Sequence, residues 1–584
     1  MPLQDSPRMR YGFNSCTYNY SILLLKIEQS AYSSAAFGLP YNQKGARGMS
    51  LITSSSIVEA TTMPALIAGA RAHWPNHDLV VFDSQRLSYA DADARSALLA
   101  RQLLASGVSK GSHVGLLLAN SCEFVISWLA INRIGAVGVP LSTFSTATEL
   151  RQLIVHADLH SLIFQASYLK HSYIDRLQDA FPSLKAGQDQ FLAEAPFLRR
   201  CWIHASSAPP WASIALAPEL PAAPPNVLTA AEQAVCPSDA AAIIYTSGST
   251  GEPKGVVHSQ GSLLRQSIKQ AREKQLAADD RIFSSMPFFW VGGLSYKLLP
   301  AMQSGATVMG CASSTPADIL DFIEAENITL FLGWPHAGQT LENDPSFPAR
   351  TFKYLRGGYL FGAFPPEQRP PSLAAVCNAL GMTETAGPHT AGHLSPLPEA
   401  VYGSFGWASE GMEYRIIDVD SGLDLADGEA GELWLRGDTL MMGLHKRERA
   451  DVFTADGWFP SKDLVSRRDG HLFFLGRCDD VVKIKGANVS PKEVEDALNA
   501  LPEIVQSIVT GLEHEGKLYL GAVVATVADL DLDSLPARLR TTLSAYKVPT
   551  VFTSLAVAEL PYRSSGKLDR RALIERLQRA LVEK

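Results

Sequence analysis

The chain is poor in cysteine. It has seven in 584 residues, at positions 16, 122, 201, 236, 311, 377 and 478, and none forms a CxxC pair. An odd, scattered set argues against a disulfide framework or a cysteine-built zinc site, and fits a reducing, cytoplasmic setting. No run approaches the roughly 18 to 20 apolar residues of a membrane span, so no integral membrane segment is expected. The short apolar run at 22–25 is too brief for a signal-peptide core. Neither charge sign dominates: 51 Lys and Arg face 59 Asp and Glu, for a net charge of −8. Nothing here has the basic footprint of a nucleic-acid binder. There is no internal repeat.

What is present is an ordinary globular composition, 46% hydrophobic and 19% charged, in a chain too long for one core. Residues 1–48 have mixed polarity and no periodicity. They are expected to be a disordered extension, or the product of a start codon placed ahead of Met49. From about residue 60 strand-like and helix-like runs alternate. Residues 79–83 (LVVFD), 113–120 (HVGLLLAN) and 136–141 (AVGVPL) read as strands. Residues 88–108 and 123–135 read as helices, the first with Leu98, Leu99, Leu103 and Leu104 on or near one face. This rhythm predicts an α/β fold with mainly parallel sheets covered by helices. Residues 205–238, rich in Ala and Pro, read as a surface loop. Beyond residue 490 the pattern is that of a small α+β domain. Ser490 is placed to cap a helix, with Pro491 at its first position and Glu493 completing a capping box. Two strand-like runs follow.

The most informative stretch is IIYTSGSTGEPKGVVHS, residues 243–259. A buried strand ends in a loop holding Thr246, Ser247, Gly248, Ser249, Thr250, Gly251 and Lys254. Glycines let several backbone N–H groups turn toward one point, hydroxyls add donors, and a lysine adds a mobile charge, so a polyphosphate suits it. Neither the GxxxxGK[ST] nor the GxGxxG spacing is present.

This loop resembles the phosphate-loop signature of the adenylate-forming enzymes: acyl-CoA synthetases, aryl-CoA ligases, luciferases and peptide-synthetase adenylation domains. Further stretches resemble that family's motifs, in its order. ALGMTET (379–385) is similar to the [YF]GxTE motif, which implies Thr383 at the α-phosphate and Glu384 as a catalytic ligand of Mg²⁺. DGWFPSKDLV (456–465) is similar to GWxxTGD, which implies Asp463 on the ribose hydroxyls, a carboxylate being able to accept two O–H bonds. LGRCDDVVKIKGANVSPKEVE (475–495) resembles the hinge signature. It implies Arg477 on the ribose and Asp479 as pivot, with Lys483 and Gly486 reaching the site after a domain rotation. LPYRSSGKLDRRAL (560–573) resembles the segment with the catalytic lysine, here Lys567. GELWLRG (431–437) and AYKVP (545–549) match segments of structural role. Singly, each has a bland reading as a polar turn, a cap or a solvated charge. Together they cover about residues 55–575.

The resemblance implies domains at 49–475 and 476–584, the second small and mobile, and ATP, Mg²⁺ and coenzyme A as cofactors. The reaction implied activates a small carboxylic acid as acyl-AMP and then transfers the acyl group to the CoA thiol. Loading of a carrier protein, and an inactive acid-binding sensor, remain as alternatives. The oligomeric state stays open, a homodimer included. Three positions depart from the pattern: Leu380 where an aromatic residue usually stacks on adenine, Ser461-Lys462 where Thr-Gly is usual, and Trp290 where many relatives carry His. Trp290 lies in PFFWVGGL (287–294), which lines the acyl pocket in the family, and Phe289, Trp290, Gly292 and Gly293 are the pocket residues implied. That segment has no acidic residue to grip an amino group, so the acid is expected to be hydrophobic: fatty or alicyclic, with aromatic acids possible. His389 and His393, four apart, could be read as a metal pair, but the glycine and proline nearby argue against the helix that would align them.

Overall fold

A computed structural model describes residues 57–582, apart from 185–189, 248–252, 314, 334, 377, 393–395, 479, 481, 485–486, 515–516, 528–529, 544 and 563–567. The expectation for residues 1–48 lies outside them, as does that for His393.

Two sheets carry most of the chain. The larger has eight strands, ordered Gly443–Leu444, Pro253–Ser259, Ala240–Ser247, Val137–Pro140, His113–Leu117, Ser161–Gln165, Arg200–His204 and Ser213–Ile214. Its first three strands pair antiparallel and the rest parallel. The second has six, ordered Gly357–Gly358, Leu330–Phe331, Arg281–Phe283, Thr307–Gly310, Asp78–Phe82 and Gln85–Ser88. All of its pairs are parallel except the final hairpin.

Helices cover both faces of each sheet, which is why the strands read as continuous apolar runs. In strand Ala240–Ser247, Ala242 and Ile244 point into the core shared by the two sheets, while Ile243 points the other way. Val80 and Val81 divide in the same manner, as a pleat requires. The shared core is filled by helices that include Cys122–Arg133, buried at every position but Glu123, and Gln260–Glu273, buried over most of its length.

The strands and helices expected before residue 142 are present within a few residues. In the helix Tyr89–Ala105, Leu99 and Leu103 are sealed, whereas Leu98 and Leu104 are half-buried. The Ala/Pro-rich stretch is corrected: it contains the strand Ser213–Ile214 and the helix Pro225–Gln233, which starts on a proline pair suited to a first turn. Next comes a four-stranded antiparallel sheet, Met412–Ile417, Ala430–Gly437, Phe459–Arg468 and His471–Arg477.

The C-terminal part is a small α+β unit. Strands Ile504–His514, Lys517–Thr526 and Val551–Ala556 form a sheet with separate apolar clusters on its two faces. Helices Pro491–Asn499 and Arg570–Val582 pack on those faces. The expected capping box does not form. Ser490 Oγ instead donates to Leu475 O at 2.6 Å, and Glu493 takes Lys547 Nζ at 2.6 Å. A tertiary acceptor has outcompeted the local cap. Among the described residues no helix is long and apolar enough to cross a membrane.

Candidate active site

The phosphate-loop candidate closes an antiparallel hairpin. Thr246 stands opposite Lys254 and Ser247 opposite Pro253. Gly248, Ser249, Thr250 and Gly251 lie outside the described residues. Gly255, opposite Tyr245, sits where a Cβ would come within 2.8 Å of Ile243 Cγ2 and 3.2 Å of His445 Cβ. Its lack of a side chain lets the edge segment at His445 close on the hairpin, where His445 N donates to Gly255 O at 2.7 Å.

The Thr383–Thr385 turn follows a two-residue strand, Gly381–Met382. Ala386 (φ 59°) and Gly387 (φ 128°) then bend the chain back. Distant elements hold the carbonyls of this turn. His258 Nε2 donates to Thr383 O at 2.7 Å, and Met441 N to Glu384 O at 2.8 Å. Ser295 Oγ donates to Ala386 O at 2.5 Å, and Gln266 Nε2 to Pro388 O at 2.6 Å. The backbone is thus fixed from four sides, and the Thr383 and Glu384 side chains keep partial exposure.

Asp463 and Arg477 are partners in the ladder between strands Phe459–Arg468 and His471–Arg477. Arg477 Nη1 donates to Asp463 Oδ1 at 2.7 Å, with Asp463 buried and Arg477 half-exposed. Ser461 Oγ donates to Leu433 O at 2.6 Å and accepts from Asp463 N at 3.1 Å, which fixes the carboxylate from behind. Lys462 is left-handed, with φ 63°. This accounts for the glycine usual at that position, because the left-handed region suits a residue without Cβ.

Electrostatics brings the three motifs together. Burial pushes the Glu384 carboxyl above its ordinary range. The backbone N–H and the charges of Arg477 and Lys254 pull it back. A desolvated carboxylate that feels the charges of Lys254 and Arg477 has the chemistry to hold a divalent cation. Mg²⁺ is commonly bound through one or two carboxylates plus substrate phosphates. Among the described residues no group of three His, Cys, Asp or Glu forms a separate metal cage.

Leu380 and Met382 lean on the apolar cluster of the four-stranded sheet, with Met412, Leu433 and Val465. In the acid-pocket candidate, Phe289 is buried edge-on to Phe144 (6.0 Å) and Trp290 (5.4 Å). Its neighbour Phe288 turns into the core against Phe82 and Phe124. Gly292 is half-buried, with 3.4 Å between an added Cβ and Met286 Sδ. At Gly293 a Cβ would fall 2.2 Å from Pro287 O, so this glycine permits a close backbone approach. Lys483 lies in the strand Val482–Ile484, opposite Asn488. Asp479, Gly486 and Lys567 lie outside the described residues.

Sequence reasoning missed His258 and Lys297 behind the site, and weighed His389 only as a metal ligand. His258 and His389 are sealed. Burial pushes the first imidazole down to about 4 and the second to about 3. His389 Nδ1 is 2.7 Å from Tyr414 Oη, a structural pairing rather than a metal one. Lys297 is also sealed.

Comparison with known proteins agrees with this geometry. The family model for the AMP-binding enzyme matches residues 68–445, and that for the AMP-binding enzyme C-terminal domain matches 493–567. An indoleacetate–CoA ligase of Aromatoleum aromaticum is 30% identical over 86% of this chain and 96% of its own. A sulfoacetate–CoA ligase of Cupriavidus necator is 28% identical over 88% and 97%. The fold matches a solved anthranilate CoA ligase bound to anthranoyl-AMP with a TM-score of 0.70, at 20% identity over 89% of this chain and 98% of that one. The chain belongs to the AMP-binding enzymes and, within them, to the acid–CoA ligases, which work with ATP, Mg²⁺ and coenzyme A.

Proposed function

We propose that this ligase activates a hydrophobic, ring-bearing carboxylic acid, alicyclic or aromatic, as its acyl-AMP and passes the acyl group to coenzyme A. The observation that carries the adenylation step is the convergence on Glu384 of the charges of Lys254 and Arg477. Acid and ATP are both anions, so the obstacle is repulsion and positioning. Lys254 and the loop N–H groups take the phosphates, and Thr383 takes the α-phosphate. Asp463 and Arg477 hold the ribose, and Lys567 neutralises charge as it builds at phosphorus. Mg²⁺ on Glu384 would screen the phosphate charge. The acid's oxygen bonds to the α-phosphorus and pyrophosphate leaves.

For the second step we assign residues 49–475 and 476–584 to two domains that turn about Asp479. Rotation withdraws Lys567 and brings in Lys483 and Gly486. The lack of a side chain at Gly486 leaves room for the pantetheine arm. The thiol then attacks the acyl carbonyl and AMP leaves. Such a hinge motion reuses one site for two chemistries.

Acids named for the relatives differ as widely as indoleacetate and sulfoacetate, so the acid is argued from this chain. The Phe144–Phe289–Trp290 wall supports a ring more than a thin chain. About 90 residues separate Glu384 from Arg477, which favours CoA over a carrier protein. Mass spectrometry of a reaction holding ATP, Mg²⁺ and a pooled acid panel tests the whole reading. A CoA-dependent thioester of a ring-bearing acid is expected. A linear fatty acyl-CoA would correct the acid, and acyl-AMP that accumulates beside CoA would point to a carrier.

A further inference from the structure

The segment after Trp290 contains a π-helical turn, Leu294–Leu298, and Lys297 lies inside it. π-turns are rare and concentrate at functional sites. Lys297 is 2% exposed. Among the described residues no carboxylate or hydrogen-bond acceptor meets its ammonium, which sits 3.9 Å from the Tyr296 ring centre. A second lysine shares that ring: Lys274 Nζ is 3.7 Å from the same centre. Lys274 ends the helix Gln260–Glu273 and donates to Gln270 Oε1, while Gln270 Nε2 donates to Glu273 Oε2 at 2.9 Å.

The charges do not balance. The one carboxylate, Glu273, acts on Lys274, and Lys297 has only the like charge of Lys274 beside it. Burial pushes both lysines down, Lys274 to about 7, and for Lys297 the Lys274 charge adds to the effect. A buried lysine without a counter-ion relieves the cost by giving up its proton, and it takes the proton back when an anion arrives. The cluster is one anion short. Tyr296 and Lys274 are half-buried, not sealed.

Its place in the fold ties it to the reaction. Ser295, the residue before Tyr296, donates to Ala386 O two residues past Glu384. Five residues before Ser295 stands Trp290 of the aromatic wall. One short segment thus touches the adenylation turn, the acid wall and the lysine pair.

We propose that Lys297 and Lys274 form the far end of the acid pocket and bind a second anionic group of the substrate, a carboxylate, sulfonate or phenolate remote from the carboxyl that is activated. The substrate class is then a hydrophobic acid with a charged far end. This inference rests on the ligase reading and deepens it. The sign is the reverse of an amino-acid pocket, where a carboxylate would grip an ammonium group.

The test is pyrophosphate release with matched acids: phenylacetate against its 4-carboxy, 4-sulfo and 4-hydroxy forms, and cyclohexylacetate against its 4-carboxy form. The wild-type enzyme is expected to prefer at least one anionic member by about 10- to 100-fold in kcat/KM, the range of a charge-assisted contact. Lys297→Met keeps the stem and removes the charge. It is expected to erase that preference mainly through the KM of the anionic acid, which rises to the level of its uncharged partner. Lys274→Met, less buried, is expected to give a smaller loss of the same kind and serves if the first variant misfolds. Equal use of charged and uncharged acids by the wild type overturns the proposal, as does a uniform loss across the pairs in both variants. No adenylate from any acid brings down the ligase reading with it.

Discussion

Asp463 and Arg477 face each other across one antiparallel ladder, and Arg477 Nη1 meets Asp463 Oδ1 at 2.7 Å. The pair is fixed before any nucleotide binds, because both residues belong to regular strands and Ser461 holds Asp463 from behind. Arg477→Met is therefore expected to raise the KM for ATP by about 10- to 100-fold, the cost of a lost charge-assisted contact, with little change in the KM for the acid. Steady-state pyrophosphate release measures both. A larger effect on the acid than on ATP would remove Arg477 from the ribose site.

The His258 imidazole is buried, and its Nε2–H donates to Thr383 O. Burial lowers its pKa from 6.5 to about 4. The folded value lies below the unfolded one, so the unfolded chain binds the extra proton between the two. Stability from this group is full above pH 6.5 and is lost as pH falls toward 4. From pH 7 to pH 5 the loss is about 2 kcal/mol for such a histidine. Denaturant melts of wild type and His258→Gln at the two pH values check it. The glutamine variant, which can still donate, should show a shallower decline. Identical slopes would mean that His258 is not the group that titrates.

Lys462 occupies left-handed backbone at φ 63° with its side chain exposed. A non-glycine residue there costs about 1–2 kcal/mol, and glycine's greater chain entropy takes back about 0.5–1. Lys462→Gly should raise stability by about 0.5–1 kcal/mol and leave the KM for ATP unchanged. Thermal melting together with ATP titration decides this. A destabilised variant would show that Lys462 makes a contact that outweighs the strain.

What the sequence could reveal followed from range. The hairpin at 240–259 was legible because glycines, hydroxyls and a strand-like run are local signals. The buried strands were legible because covered sheets need unbroken apolar runs. Lys297 was not: in LSYKLLP a lysine reads as a solvated charge, and its burial comes from tertiary packing that no local pattern shows. His258 was hidden likewise, since its acceptor Thr383 lies 125 residues away. The capping box at Ser490 failed because Leu475 O, from a preceding strand, offered a tertiary acceptor. The ordered motifs carried the family, while the acid depended on side chains whose burial no local pattern encodes.

The two half-reactions are separable because they are proposed to use different faces of the C-terminal domain. Lys567→Ala should lower pyrophosphate release by two or more orders of magnitude, since it removes the cation that faces charge building at phosphorus. Thioester formation from supplied acyl-AMP should survive. Gly486→Trp should do the reverse, because a bulky ring fills the path of the pantetheine arm without touching the first conformation. Pyrophosphate release then continues while acyl-CoA formation stops, and acyl-AMP accumulates in the mass spectrum. Loss of both half-reactions in a folded Gly486→Trp protein would mean that this position serves adenylation too, and the alternation of faces would fail for it. Retention of acid binding with neither half-reaction in the wild-type protein would instead mark an acid sensor descended from ligases.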